Sequence, residues 1–384
     1  MFDYGLEAFL ESPHATGRIG LVTNATGRDR HGVHLTDRIS AHPHATLAAI
    51  FTPEHGFGSD APDGEAVDSS VHPRLGVPIF SLYGPKKKPA PADLHGLDAL
   101  VFDIQDVGVR FYTYISTLRN TLEAAAEAGL PFHVLDRPDL LGGLEIEGPM
   151  LSPGFGSFVG HLPVPLRYGL TPGELARWWN ARLPKPAGLT VWACREYVRG
   201  VPFERLGVPW VQPSPSMKSP DTARFYPGTC LYEGTNVSEG RGTDAPFQIL
   251  GAPWARPELW IEALSPLLPP GVSVSAATFR PTFSKFEGIE CRGIRLDTSL
   301  PILPNAVGIG IRSLHALLRT HPGLVEFPGR ATLPHPFFDH LAGNAWLREH
   351  LLSGKPPAEI EARATAECAP FIAERASFLI YNTL

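Results

Sequence analysis

The chain is 384 residues long with a formal net charge of −6, 43% hydrophobic and 19% charged; it has the apolar material to fold and is too long for one ordinary core, so two domains, 1–150 and 151–384, are expected. With Lys86-Lys87-Lys88 as its basic run, it lacks the electrostatic footprint of a nucleic-acid binder. No apolar run is long enough to span a bilayer.

The first residues, Met1 to Glu7, have neither the basic start nor the apolar stretch of a secretory signal. A cytoplasmic protein is expected from the sequence as it stands, and an exported one if a signal has been trimmed. Short apolar runs at 18–23, 47–52, 78–82, 99–103 and 132–136 then read as the buried strands of a parallel sheet. Between the last two, Ile115, Leu118, Leu122 and Ala125 fall on one face of a helix that Gly129 would end. Thr171-Pro172-Gly173-Glu174 is a capping box opening a helix through Trp178 and Trp179. A Pro/Gly/Ser-rich stretch over 208–254 shows little periodicity and reads as a long functional loop. Beyond it come a strand near 289–296, a helix near 310–318, a helix over 336–352 closed by Gly354, and a last helix interrupted by Pro370. Cys194, Cys230, Cys291 and Cys368 stand far apart and read as core thiols rather than zinc ligands.

Each early strand is followed at once by polar residues, where an open α/β sheet builds its ligand crevice. These are Asn24 and Thr26, Glu54 and His55, Tyr83, Gln105 and Asp106, and Arg137 and Asp139. No Gly-x-Gly-x-x-Gly or phosphate loop accompanies them, so the fold is Rossmann-like without dinucleotide chemistry. In Thr52-Pro53-Glu54-His55-Gly56, Glu54 is the best general-acid candidate; the plainer alternative is a solvated turn. The segment Asp103 to Tyr114 packs Asp103, Gln105, Asp106, Arg110, Tyr112 and Tyr114 into a dozen residues, suited to orienting hydroxyls and clamping a carboxylate through Arg110. A structural Asp106–Arg110 pair with packed tyrosines would explain the same residues. Asp136 reads as a supporting residue and Glu174 as a cap. In the middle stretch Ser214, Lys218, Glu233, Asn236, Glu239 and Arg241 gather hydrogen-bonding groups suited to a polyhydroxylated, anionic ligand. Ser214 and Ser216 lack a nucleophile elbow, which weighs against serine-hydrolase chemistry.

In this order, Gly20-Leu21-Val22-Thr23-Asn24, Thr52-Pro53-Glu54-His55-Gly56, Asp103 through Gly108 to Tyr114, Leu135-Asp136-Arg137-Pro138, Pro213-Ser214-Pro215, Tyr232 through Asn236, Ser238 through Thr243, and Phe283 with Lys285-Phe286 resemble the NamZ-type exo-β-N-acetylmuramidases, a glycoside hydrolase family long filed as a domain of unknown function. The resemblance covers nearly the whole chain, with Ala25 as a departure after Asn24 and no signal where well-known members are exported. It implies an α/β protein with a Rossmann-like N-terminal domain, a smaller C-terminal α/β domain and the site in the cleft between them. It also implies release of N-acetylmuramic acid from the non-reducing end of peptidoglycan fragments, with Glu54 at the position of the family's proposed catalytic glutamate. On that chemistry Glu54 is the acid/base and Asp103, Asp106 or Glu239 the second carboxylate. Arg110, Lys218 or Arg241 would meet the lactyl carboxylate, with Asn24, His55, Gln105, Tyr112, Tyr114, Ser214, Glu233 and Asn236 as further substrate contacts. The partner is a small muramic-acid saccharide, and no metal or other cofactor is required. The rivals are a metal-assisted hydrolase using Glu54, His55, Asp103 and Asp106 as ligands, and a non-catalytic muropeptide-binding protein.

Overall fold

The computed structural model describes residues 1–62 and 64–384. Its first part is a sheet of seven strands: β1 (Gly17–Thr23), β2 (Ala45–Thr52), β3 (Ser70–Val71), β4 (Pro78–Ser81), β5 (Ala99–Asp103), β6 (Phe132–Leu135) and β7 (Leu189–Trp192), in the order β3-β4-β2-β1-β5-β6-β7. All neighbours are parallel except β3 with β4. The apolar runs form strands because both faces are covered: Leu100 and Phe102 join one core while Val101 between them joins the other. The helix Tyr114–Ala128 crosses from β5 to β6 and ends at Gly129, as its apolar face predicts.

The helix Pro172–Asn180 starts with both bonds of the predicted capping box. Glu174 does more than cap: its carboxylate also pairs with Arg199 and accepts the Ile380 N–H at 2.7 Å, tying the C-terminus to the sheet. Because β7 lies beyond residue 150, the parallel sheet extends past the boundary expected from the sequence.

The second part carries an antiparallel sheet of β8 (Ile249–Ala252), β9 (Val272–Phe279) and β10 (Cys291–Thr298), ordered β8-β10-β9. The stretch 208–254 is not one loop, for it contains the helix Pro220–Thr229, a tight 3-10 segment Cys230–Gly234 and β8. This helix ends in Pro227-Gly228-Thr229, residues that hide its periodicity. A Cβ on Gly228 would lie 2.1 Å from the carbonyl of Ala306, so the helix is set by close packing on the helix Ala306–Thr320 rather than by propensity. The expected helix over 336–352 is two, Phe337–Ala342 and Trp346–Leu352, separated at Gly343 (φ 75°). Conversely, the last helix, Pro357–Arg375, runs through Pro370. Pro370 and Ala366, whose carbonyl loses its donor, are both exposed, so water can take the place of the missing N–H. The four cysteines are buried free thiols. One apolar core runs without a break from the sheet into the C-terminal helices, and that continuity brings residues from both parts around one cavity.

Candidate active site

Strand order places β2 and β5 on either side of β1, so the chain reverses direction across the sheet at β1 and opens a crevice beyond the strand ends. Glu54 stands there on the loop after β2, 8% exposed. Its Oε1 accepts the Gly64 N–H at 3.0 Å and its Oε2 accepts the Thr113 hydroxyl at 2.6 Å. Thr113 comes from the loop after β5, at the start of the helix Tyr114–Ala128. Two loops on a rigid sheet therefore fix one carboxyl group from both sides. The next residue, His55, is held at φ 69°, a left-handed conformation uncommon for a residue with a side chain, with Nδ1 2.7 Å from the Ala61 carbonyl.

These residues open into a cavity of about 310 Å³, at the small end of ligand sites and suited to a single sugar ring. One wall is aromatic. Tyr112 meets Tyr114 edge-on at 4.8 Å, Tyr226 stands at 88° to Tyr112, and Phe247 packs on Tyr226 at 4.6 Å. Burial pushes the Tyr112 and Tyr226 phenols well above their ordinary range, so they act as neutral hydroxyls. Beside it the lining is charged, with the Arg241 guanidinium 4.9 Å over the Phe247 ring. Glu233 accepts from Arg241 at 2.6 Å and from the Cys230 thiol at 3.3 Å. Behind it Glu239 accepts from Arg241 and Lys285 at 3.2 and 3.0 Å, and Lys285 is further anchored on the carbonyls of Tyr232 and Val237.

Of the residues expected from the sequence, Glu54, His55, Tyr112, Tyr114, Ser214, Glu233 and Arg241 line this cavity together. The others stand elsewhere. Asp103 is fully buried beneath the crevice and paired with Arg137 at 2.6 Å. Burial raises its carboxyl and Arg137 opposes that rise. Asp106 accepts the Gly108 N–H at 2.7 Å and the Tyr168 hydroxyl, and burial pushes it up to about 7. Gln105 holds the carbonyls of Asp106 and Pro138, and Asn24 holds the backbone and hydroxyl of Thr26.

Arg110 is also buried completely. Its guanidinium donates to the carbonyls of Pro149, Val164, Leu341 and Ala342, clipping the helix Phe337–Ala342 to the sheet domain instead of facing a ligand. Lys218 reaches outward to the Thr243 carbonyl, and Asn236 bridges to Leu324 and Glu326. Glu239 sits behind Arg241. The side chains at 103, 106 and 239 turn away because each found a buried partner, which polar density in a sequence cannot reveal. The ligand set of the metal-assisted rival does not converge, and among the described residues no group of three or more His, Cys, Asp or Glu is arranged to hold a metal ion.

The structure adds Thr113, Tyr83, Tyr226, Arg330 and Phe337 to the cavity. Tyr83 follows a strand and was legible as a crevice residue; Thr113 lies inside the dense polar segment. Arg330, in Pro328-Gly329-Arg330, has no motif around it. Among the described residues no helix is long and apolar enough to cross a membrane.

Family comparison agrees with this geometry. The N-terminal model of the exo-beta-N-acetylmuramidase NamZ matches residues 19–221 and the C-terminal model of the same family matches 224–381. The chain is 42% identical over 364 residues, 95% of its length and 87% of the relative's, to the peptidoglycan beta-N-acetylmuramidase NamZ of Bacillus subtilis (strain 168). Two crystal structures of DUF1343 family proteins from Bacteroides fragilis NCTC 9343 resemble it at 30% identity. Their TM-scores are 0.89, with 99% of each chain covered, and 0.78, with all of each chain covered.

Proposed function

The chain belongs to the exo-β-N-acetylmuramidase NamZ family, and from that premise we propose that Glu54 and Glu233 cleave the bond to a terminal N-acetylmuramic acid held in the cavity between them. The enzyme is a glycosidase of peptidoglycan, and its substrate is the non-reducing end of a muramic-acid saccharide. A cavity of about 310 Å³ holds one terminal ring and favours exo-action on soluble fragments.

One observation carries the assignment of roles: among the described residues, Glu54 and Glu233 are the carboxylates that line the cavity. This moves the second carboxylate from Asp103, Asp106 or Glu239 to Glu233. Glu54, fixed by Thr113 and Gly64, donates its proton to the glycosidic oxygen as the bond to C1 breaks. Glu233, itself braced by Arg241, accepts the acetamido N–H, so that the amide oxygen attacks C1 and forms a cyclic oxazolinium. Water then adds at C1, giving its proton to Glu54, and the oxazolinium opens to N-acetylmuramic acid. The buried phenols of the aromatic wall offer neutral hydrogen bonds to sugar hydroxyls.

The proposed boundary between the two parts lies at 222–223, where the matched segments meet, which keeps β7 with the parallel sheet. Proton NMR of the first-formed sugar tests the chemistry. The β anomer is expected at first, and its amount should fall sharply in Glu233→Gln; the α anomer as first product would overturn the acetamide route.

A further inference from the structure

The muramic-acid ring differs from glucosamine by a lactyl ether that ends in a carboxylate, and such a group calls for a cation not already committed to the protein. Lys218 and Arg110 lie outside the cavity, and Arg241 is held by Glu233 and Glu239. Arg330 differs from all of these. It lines the cavity, and its guanidinium has no hydrogen-bonded or ion-paired partner among the described residues. The guanidinium stacks on Phe337, 3.2 Å from the ring centroid, which fixes its plane while leaving its N–H edge available.

The backbone beneath it is closed. Gly329 bridges Pro336, the Phe337 N–H reaches the Pro328 carbonyl at 3.1 Å, and the Leu333 N–H reaches the carbonyl of Arg330 itself at 2.9 Å. Partial desolvation lowers the pKa of Arg330, and the charges of Glu233 and Glu54 act against that shift, so it stands within electrostatic reach of both proposed catalytic groups.

We propose that Arg330 binds the lactyl carboxylate of the terminal sugar and is the residue that selects muramic acid over glucosamine. The proposal rests on the reading of this cavity as the N-acetylmuramic-acid site.

The test measures binding of N-acetylmuramic acid and of its carboxyl methyl ester to the wild type, Arg330→Met and Arg330→Lys, alongside turnover of a muramic-acid glycoside. The wild type is expected to bind the acid about 10- to 100-fold more tightly than the ester, the span of a charge-assisted hydrogen bond. Arg330→Met should erase that preference by weakening the acid alone, and Arg330→Lys should recover part of it. Wild-type turnover with the acid preference intact in Arg330→Met, or equal weakening of acid and ester, overturns the role of Arg330 and leaves the substrate reading standing. A wild type that neither binds the acid nor cleaves the glycoside overturns both.

Discussion

Arg110 offers a sharp separation of structural from ligand-binding roles. The guanidinium is fully buried and donates to four carbonyls at 2.6 to 3.2 Å, two of them at the end of the helix Phe337–Ala342. In Arg110→Met those oxygens lose their donors inside the protein, at about 2 kcal/mol each for buried carbonyls left unsatisfied, about 8 kcal/mol in all. Against that stands relief of about 5 kcal/mol from burying a charge, the cost visible in a pKa pushed down to about 9 by desolvation. The net loss is about 3 kcal/mol, a fall of about 6 to 12 °C in Tm for a domain of this size. Thermal unfolding followed by circular dichroism gives the first number, and steady-state kinetics on a muramic-acid glycoside at 25 °C gives the second. We expect the lower Tm with KM within about threefold of wild type, since no substrate contact is removed. An unchanged Tm together with a KM raised by tenfold or more would refute the reasoning and return Arg110 to the ligand.

Thr113→Val removes one of the two hydrogen bonds that orient Glu54, and kcat/KM should fall about tenfold, the upper value of a single hydrogen bond, with Tm little changed. Asp106→Asn tests a buried carboxyl. Its folded-state pKa of about 7, raised by burial, lies above that of the unfolded chain, so the native state binds the extra proton and stability is lost as pH rises from about 4 to about 7. Asparagine does not titrate; the Tm of Asp106→Asn relative to wild type should therefore increase between pH 5 and pH 8, and a difference independent of pH would contradict the burial of this group. Gly228→Ala places a methyl group against the Ala306 carbonyl and should destabilise by about 1–3 kcal/mol, read from chemical denaturation.

The parts of the fold legible in the sequence are those fixed by local signals. Runs such as Ala99–Asp103 are apolar throughout because both faces of the sheet are covered, and Thr171 with Glu174 closes a cap within four residues. The helix Pro220–Thr229 was hidden because its position depends on a glycine contact with a helix some eighty residues away. The site was half legible for a related reason. Polar residues after β1, β2 and β5 mark the crevice, yet whether Asp103 or Asp106 faces a ligand depends on Arg137 and Tyr168, buried partners from later in the chain. Glu54 escaped that ambiguity because its partners, Thr113 and the Gly64 N–H, leave it at the cavity wall. Arg330 reaches the cavity from a short turn whose sequence has neither period nor motif.

The central claim, that Glu54 protonates the leaving oxygen, is tested most directly by comparing kcat/KM of Glu54→Gln and wild type on two muramic-acid glycosides. One carries a leaving group that needs a proton, such as a sugar hydroxyl, and the other an activated phenolate that departs without one. The account predicts a loss of about 10²- to 10⁴-fold on the first substrate and a far smaller loss on the second. Equal losses on both, or full activity on the first, would contradict it.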